Sequence, residues 1–358
     1  MAESEAAEGN LSSIVAKHYN ELEESGKDAR TTCRIYYLRN FNNWIKSMLI
    51  GEYLQKIQET NRHDGKISVL DIGAGKGGDL LKWKKGRISH LVCADIAETS
   101  LQHCQQRYRD IKRSSKRFGD PEPFTVEFVP ADCTKIRLKD HYQDPNILFD
   151  LVSCQFTFHY CFESESQAER MIQNISECLR PGGYFIGTTP DAYDIVRRIQ
   201  NSEDLQFGSD IFSIKFESKD KFPLFGARYT FYLEGVVDCP EFLVYFPLFE
   251  YLAKQHGLTL VYKKRFEDMF NEYEKTDRGK FLLRRLPALE SFPPYDDKKL
   301  MGEEKNYEFA QKKREEIEAK EKHKDRPSAV KLGTLSQAEW EVATLYIAFA
   351  FRKDLPKE

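Results

Sequence analysis

Between Val69 and Asp79 the chain reads Val69-Leu70-Asp71-Ile72-Gly73-Ala74-Gly75-Lys76-Gly77-Gly78-Asp79, an apolar run that stops at an acid and then places four glycines in six positions. Glycine tolerates positive φ and lets the backbone approach a bound molecule closely, so this pattern suits a loop wrapped around a small ligand. Glycine spacing does not separate the candidates, because nicotinamide and flavin enzymes use similar turns. Asp71 is the discriminating residue. A carboxylate just before the loop would repel a diphosphate but would suit a ligand that carries an ammonium and a sulfonium. The loop is therefore read as a site for S-adenosylmethionine, with Asp71, Gly73 and Gly75 against it.

Two more acids extend that reading. Asp95 lies at the end of HLVCADI (90–96), where a carboxylate can accept bonds from both ribose hydroxyls, and Asp132 closes FTVEFVPAD (124–132), where one can face an adenine amino group. A single Asp at a strand end is usually a helix cap or turn residue. Three acids after three successive apolar runs are less easily explained that way. After a fourth run comes Cys154-Gln155-Phe156-Thr157-Phe158-His159-Tyr160, which would face the reacting methyl group. Methylases of exocyclic amines often carry Asn/Asp/Ser-Pro-Pro-aromatic here, and this chain does not. Phe292-Pro293-Pro294-Tyr295 lies far downstream, lacks the leading polar residue and reads as a linker turn. His159 is either a satisfied structural histidine or a substrate contact.

The elements that must hold these residues alternate. ISVLDI (67–72), HLVCADI, FTVEFVPAD, ILFDLVSCQF (147–156) and a strand within RPGGYFIGTTP (180–190) are short apolar strands, separated by helical patterns from about Asp79, over 99–116 and over 165–179. That alternation predicts an α/β chain with a mostly parallel sheet covered on both faces. Residues 1–13 read as a disordered acidic stub. Residues 14–60 read as helical with a break near Gly26, and Trp44, Ile45, Met48, Leu49, Tyr53, Leu54 and Ile57 recur close to a helical period. Residues 191–250 interrupt the alternation as an insertion, with a helix expected from Pro240 to about His256. LTLVYKKRF (258–266) and TLYIAFAFR (344–352) are expected as an antiparallel pair at one sheet edge. Between them, residues 303–326 hold 8 basic and 8 acidic residues, so that segment is either an ion-paired surface helix or disordered. One domain over 14–358 is expected, with its core sheet at about 66–190 and 257–352.

Composition excludes several classes. No apolar run approaches the ~18–20 residues of a membrane span, and the opening MAESEAAEG does not resemble a signal peptide, so residence inside the cell is expected. The eight cysteines form no C-x-x-C pair, which argues against a zinc site or disulfide framework, and no metal is expected. The net charge of −3 says little, but residues 76–117 hold 11 Lys/Arg against 4 Asp/Glu. That excess is a solvated helix face or a footprint for a polyanion such as RNA.

The chain resembles the eukaryotic mRNA cap (guanine-N7) methyltransferase family in VAKHYN (15–20), YLRNFNNW (37–44), the glycine loop with LLKWKKGRI (80–88), CQQRY (104–108), SCQFTFHY (153–160), PGGYFIGTTP (181–190), PLFGARYTFYLEGVVDCPEFLVYF (223–246) and LGTLSQAEWE…LYIAFAF (332–351). These stretches span nearly all of 14–352. It departs from that pattern at Ala74, where many relatives carry Cys, in its short acidic opening, and in the length of 303–326. The resemblance implies a Rossmann-like class I methyltransferase fold: about seven strands with one antiparallel, an N-terminal helical cover and an inserted substrate-binding lobe. It implies that Lys46, Gly73, Asp95, Asp132, Gln155 and Tyr160 bind S-adenosylmethionine and that Asn42 and Asn43 lie near capped RNA. Lys76, Lys82 and Arg107 would meet the cap phosphates and ribose. His159, Glu241 and Tyr346 would enclose the guanine, with Pro190 and Tyr229 nearby. It further implies capped pre-mRNA as substrate, nuclear residence, a monomeric catalytic subunit, a small RNA-binding activating subunit, and contact with the capping and transcription machinery.

The chemistry agrees with that assignment. Guanine N7 has a free lone pair and no proton to lose, so positioning in line with the methyl–sulfur bond replaces general-base catalysis. A carboxylate such as Glu241 can accept from guanine N1–H and its amino group and balance charge growing on the ring. The rivals are a small-molecule S-adenosylmethionine-dependent methyltransferase, a catalytically silent RNA-binding module, and a nicotinamide oxidoreductase, the last opposed by Asp71.

Overall fold

The computed structural model describes residues 11–21, 31–60, 65–118, 120, 123–295, 298–321 and 330–356. Helix α1 (Leu11–Glu21) begins inside the expected disordered stub, so residues 11–13 are helical, while 1–10 and the expected break near Gly26 lie outside the described residues. Helix α2 (Tyr36–Glu59) is more than a cover. It buries Leu38, Phe41, Trp44, Ile45, Met48, Leu49, Ile50, Tyr53, Leu54 and Ile57. Trp44 is fully buried and its indole N–H donates to Gly279 O at 3.1 Å. Truncating such a side chain to Ala costs roughly 3–5 kcal/mol.

The five expected parallel strands form: β1 (Ser68–Ile72), β2 (His90–Asp95), β3 (Thr125–Pro130), β4 (Phe149–Gln155) and β5 (Leu179–Pro190). Helices α3 (Leu80–Lys85), α4 (Glu98–Phe118) and α5 (Glu165–Ser176) connect them. The strands lie in the order β3-β2-β1-β4-β5, all parallel. Strand order reverses between β1 and β4, and open α/β sheets bind ligands beyond the strand C-termini at such a switch point.

The insertion holds α6 (Ala192–Asn201), a four-stranded antiparallel sheet of β6 (Gln206–Gly208), β7 (Phe212–Lys215), β8 (Arg228–Leu233) and β9 (Val237–Phe242), and helix α7 (Phe246–Gln255). The helix expected from Pro240 starts later, at Phe246. Pro240 instead sits in β9, which is the edge strand of its sheet, a position that accepts a residue with no N–H to donate.

Strand β10 (Leu258–Arg265) follows, and β13 (Tyr346–Lys353) pairs antiparallel with both β10 and β5, completing the order β10-β13-β5-β4-β1-β2-β3. The two late strands do pair antiparallel, but only β10 is an edge. β13 is inserted between β10 and β5, and Ile347, Ala348, Phe349, Ala350 and Phe351 are buried, as a central strand requires. Among the described residues, the chain between them is structured. It forms α8 (Phe266–Tyr273), α9 (Asp277–Arg285), β11 (Glu290–Phe292), α10 (Glu308–Glu321), β12 (Leu332–Thr334) and α11 (Gln337–Ala343), with β11 and β12 paired. The charged segment is thus helical over most of its described part, a short 3-10 turn (Glu304–Tyr307) leading into α10, and residues 322–326 lie outside the description. Ser336 and Glu339 form a reciprocal capping box at α11. Glu339 also accepts from Leu38 N at 3.1 Å, which ties the first turn of α2 to a segment near the C-terminus.

Candidate functional site: a cofactor cleft backed by a buried aromatic–carboxylate cluster

A cleft of about 460 Å³ opens at the C-terminal ends of β1, β2, β3 and β4. Of the residues expected around a cofactor, Lys46, Gly73, Gly75, Asp95, Asp132, Gln155 and Tyr160 line it, and so do Lys76 and Arg107 from the expected phosphate set. Gly73 and Gly75 have φ of 70° and 51°. A side chain at Gly73 would collide with Thr157, since its Cβ would lie 2.4 Å from Oγ1, so the glycine loop packs directly on the loop after β4. Asp95 accepts from Gly75 N at 2.7 Å and from Ala97 N at 2.8 Å. Burial raises its pKa, while the Ala97 and Gly75 amides oppose the shift.

Asp71 does not reach the cleft. Side chains alternate along β1, so Leu70 and Ile72 face one core cluster while Val69 faces the other, on the side from which α2 and α3 approach. Asp71 shares that second face, and its Oδ2 accepts from Trp83 Nε1 of α3 at 3.0 Å. Burial and the charge of Asp79 raise its pKa to about 7. Repulsion of a diphosphate by Asp71 is therefore not what selects the ligand. Its role is to anchor α3 behind the loop.

Asp79, which the motif reading passed over, organises the cations. Lys46 Nζ lies 2.9 Å from its Oδ2, and Lys82 Nζ lies 2.7 Å from its Oδ1. Burial opposes ionisation of Asp79, but the two ammonium groups outweigh it and hold the carboxyl well below its ordinary range. Lys82 also donates to Asn43 Oδ1. None of Lys82, Asn42 and Asn43 is among the residues that line the cleft. Asn42 Oδ1 is buried with no hydrogen-bond partner among the described residues.

The residues expected around a guanine come together from distant parts of the chain. Tyr229 and Glu241 are directly opposed on β8 and β9, and the Tyr229 hydroxyl donates to Glu241 Oε2 at 2.7 Å. His159 Nε2 lies 3.2 Å from Glu241 Oε1. Neither ring nitrogen of His159 makes a well-directed hydrogen bond among the described residues. Glu241 therefore does not head a helix. It is a strand residue, 3% exposed. Pro190 pairs with Tyr346 where β5 meets β13. The Tyr346 ring lies 5.6 Å from that of Phe266, nearly parallel, and 5.0 Å from that of Phe156, edge-on.

Two residues join cleft and cluster. Phe156 lines the cleft and touches Tyr346. Tyr160 lines it, packs at 4.3 Å between centroids on His159, and is 3.4 Å from Cys239 Sγ. Burial, then Tyr19 and Glu241, raise the Tyr160 pKa well above a normal phenol. α1 covers this junction with consecutive residues. His18 Nε2 meets Val236 O at 3.4 Å, the Tyr19 hydroxyl meets that of Tyr160 at 3.1 Å, and Asn20 Oδ1 accepts from Thr99 N at 3.0 Å in the first turn of α4.

The profile of the mRNA (guanine-N(7))-methyltransferase domain matches residues 2–354. The mRNA cap guanine-N(7) methyltransferase of Drosophila melanogaster is 46% identical over 357 residues, covering 98% of this chain and 79% of its own. That of Caenorhabditis elegans is 38% identical over 350 residues, covering 96% and 87%. Enzyme 1 of Oryza sativa subsp. japonica is 37% identical over 348 residues, covering 95% and 80%. The chain belongs to this family.

The methyl donor of the family is S-adenosylmethionine, and the cleft fits it. Asp95 stands where ribose hydroxyls would arrive. Ala131, Cys133 and Met171 form a largely apolar slot beside Asp132, and the Lys46 ammonium stands at the cleft wall to meet a carboxylate. Asp132 already spends Oδ1 on Thr134 N and Oγ1, at 3.0 and 2.6 Å, and its Oδ2 lies 3.5 Å from Lys135 Nζ, so an adenine amino group would share that oxygen with an ammonium. Tyr19 and Phe156 lay inside the VAKHYN and SCQFTFHY stretches without being singled out. Asp79, directly after Gly78, had a signal in Lys82, Lys84 and Lys85, which follow it.

Proposed function

We propose that this chain transfers a methyl group from S-adenosylmethionine to N7 of the 5′-terminal guanosine of capped pre-mRNA, leaving S-adenosylhomocysteine and the cap 0 structure. The observation that carries this reading is Glu241, a carboxylate buried among aromatic rings and held by Tyr229 and His159, one side chain away from the cofactor cleft. Its two oxygens match the two donors on the guanine Watson–Crick edge. Tyr346 and Phe156 offer flat surfaces for stacking. Lys76 and Arg107, at the cleft, suit the phosphate bridge. The bound cofactor supplies an electrophilic methyl group. The protein's own residues align N7 with it and spread the positive charge that develops on the guanine. A small acceptor would not need such a cluster, so the small-molecule reading is not favoured.

Family resemblance supports nuclear residence, where capped pre-mRNA is made, together with a small RNA-binding activating subunit and contact with the capping and transcription machinery. Among the described residues no helix is long and apolar enough to cross a membrane. Incubation with methyl-labelled S-adenosylmethionine and unmethylated capped RNA, followed by digestion and mapping, should place the label on guanine N7. Label on another atom, or transfer only to small acceptors, would overturn the assignment.

A further inference from the structure

We infer that Thr188, on β5, is a positioning residue for methyl transfer. It rests on the acceptor reading above and deepens it, because it explains what holds the wall between donor and acceptor in place. Phe156 is that wall. It follows directly on β4 with φ of 60°, in the left-handed region that L side chains rarely adopt and bulky ones least. Such strain persists only where the surroundings over-determine it. Here the ring packs on Phe266 and Tyr346, and its N–H is held by one buried threonine. The Phe156 N–H lies 2.9 Å from Thr188 Oγ1 and 3.2 Å from Thr188 O, a bond shared between the hydroxyl and the carbonyl of one residue.

The same hydroxyl has a second task. Thr188 Oγ1 donates to Gln155 Oε1 at 3.3 Å, and Gln155 Nε2 then donates to Ser153 Oγ at 3.2 Å. One fully buried O–H thus uses its donor to orient the Gln155 amide, which lines the cofactor cleft, and its acceptor to pin Phe156, which lines the cleft and meets Tyr346. Thr188 does not line the cleft where donor and acceptor would meet. It acts through two neighbours that face them. A turned Phe156 ring would let N7 drift from the methyl–sulfur axis, and turnover falls steeply with such misalignment.

Thr188→Val keeps the side-chain shape and removes the hydroxyl. Turnover on capped RNA at saturating cofactor should fall at least about tenfold, while cofactor affinity changes by less than about threefold. Thr188→Ser keeps the hydroxyl and should recover most of the lost turnover. Glycine accepts positive φ without strain, so in a Phe156→Gly background, where only the Gln155 contact of the hydroxyl remains, Thr188→Val should cost at least about threefold less than it does in the wild-type protein. If Thr188→Val does not fold, Thr188→Ala carries the same comparison. Turnover unchanged in the hydroxyl-free variants, a serine variant no better than the valine one, or losses that multiply across the double mutant would each overturn the inference. The acceptor reading fails differently, through wild-type protein that places no methyl group on N7.

Discussion

The cofactor cleft and the acceptor cluster lie one side chain apart, yet they are built by opposite means. The cleft comes from successive strand ends, Gly73 and Gly75 after β1, Asp95 on β2, Asp132 after β3 and Gln155 on β4, and its two acids are held chiefly by backbone amides. The acceptor cluster takes His159 from the loop after β4, Pro190 from β5, Tyr229 and Glu241 from the insertion, and Tyr346 from β13. Its polar groups are held by other side chains, with Tyr229 and His159 against Glu241, and its members are buried. A site made of local turns is set by short-range geometry and tolerates change elsewhere. A site made of convergent side chains depends on four separate segments docking correctly. Cofactor binding should therefore survive damage to the acceptor cluster, whereas damage at the cleft should abolish both.

The largest effect should come from Asp95→Ala. It removes the acceptor for ribose hydroxyls and also strands the Gly75 and Ala97 amides. A charge-assisted hydrogen bond is worth roughly 1.5–3 kcal/mol, so calorimetry should show S-adenosylmethionine affinity lowered at least about tenfold. Unchanged affinity would mean that the cleft is not the cofactor site. Next comes Glu241→Gln, which retains shape but leaves one carbonyl oxygen to face two guanine donors and removes a negative charge. Catalytic efficiency on capped RNA should drop by at least about tenfold, ~1.4 kcal/mol, with cofactor affinity intact. Near-normal methylation by a folded variant would take Glu241 out of the acceptor site. A parallel loss of cofactor affinity would break the independence of the two regions.

The smallest effect concerns stability. Asp71 has its pKa raised to about 7 by burial and by Asp79, so the fold favours its neutral form. Its contribution to stability is full below the unfolded carboxylate value of about 4 and is lost as pH rises through about 7. Asp71→Asn keeps an acceptor for Trp83 and never ionises. Thermal melts should show the variant more stable than wild type at pH 8, with the difference shrinking towards pH 5. A variant equally stable or less stable at pH 8 would show that the Asp71 charge is needed where it lies.

Much of the cleft was legible in the chain because local rules produce it. Apolar runs ending in Gly-rich or acidic turns placed Gly73, Gly75, Asp95 and Asp132 at strand ends, and the same alternation implied the parallel sheet. The same rules also misled. Asp71 belongs to the motif, but the two-residue period of β1 turns its carboxylate away from the ligand and on to Trp83. Pro240 suggested a helix start, but it lies on an edge strand, where a missing N–H costs nothing. Lys82 carried a charge suited to phosphate, yet Asp79 and Asn43 engage it and it does not line the cleft.

The acceptor cluster became visible in the sequence only through family resemblance, since no spacing rule links His159, Tyr229, Glu241 and Tyr346. What the sequence by itself determined is the periodic and short-range part: which segments are strands, where glycine permits a tight loop, and which acids end up beside it. Only the tertiary structure decided that β13 enters between β10 and β5, bringing Tyr346 beside Pro190, and that β8 and β9 set Tyr229 opposite Glu241. It also decided that the Thr188 hydroxyl meets the strained Phe156. The physical reason is range. Backbone conformation and hydrophobic period act over a few residues, whereas the pairing of side chains distant along the chain follows from how whole layers pack, which no local pattern encodes.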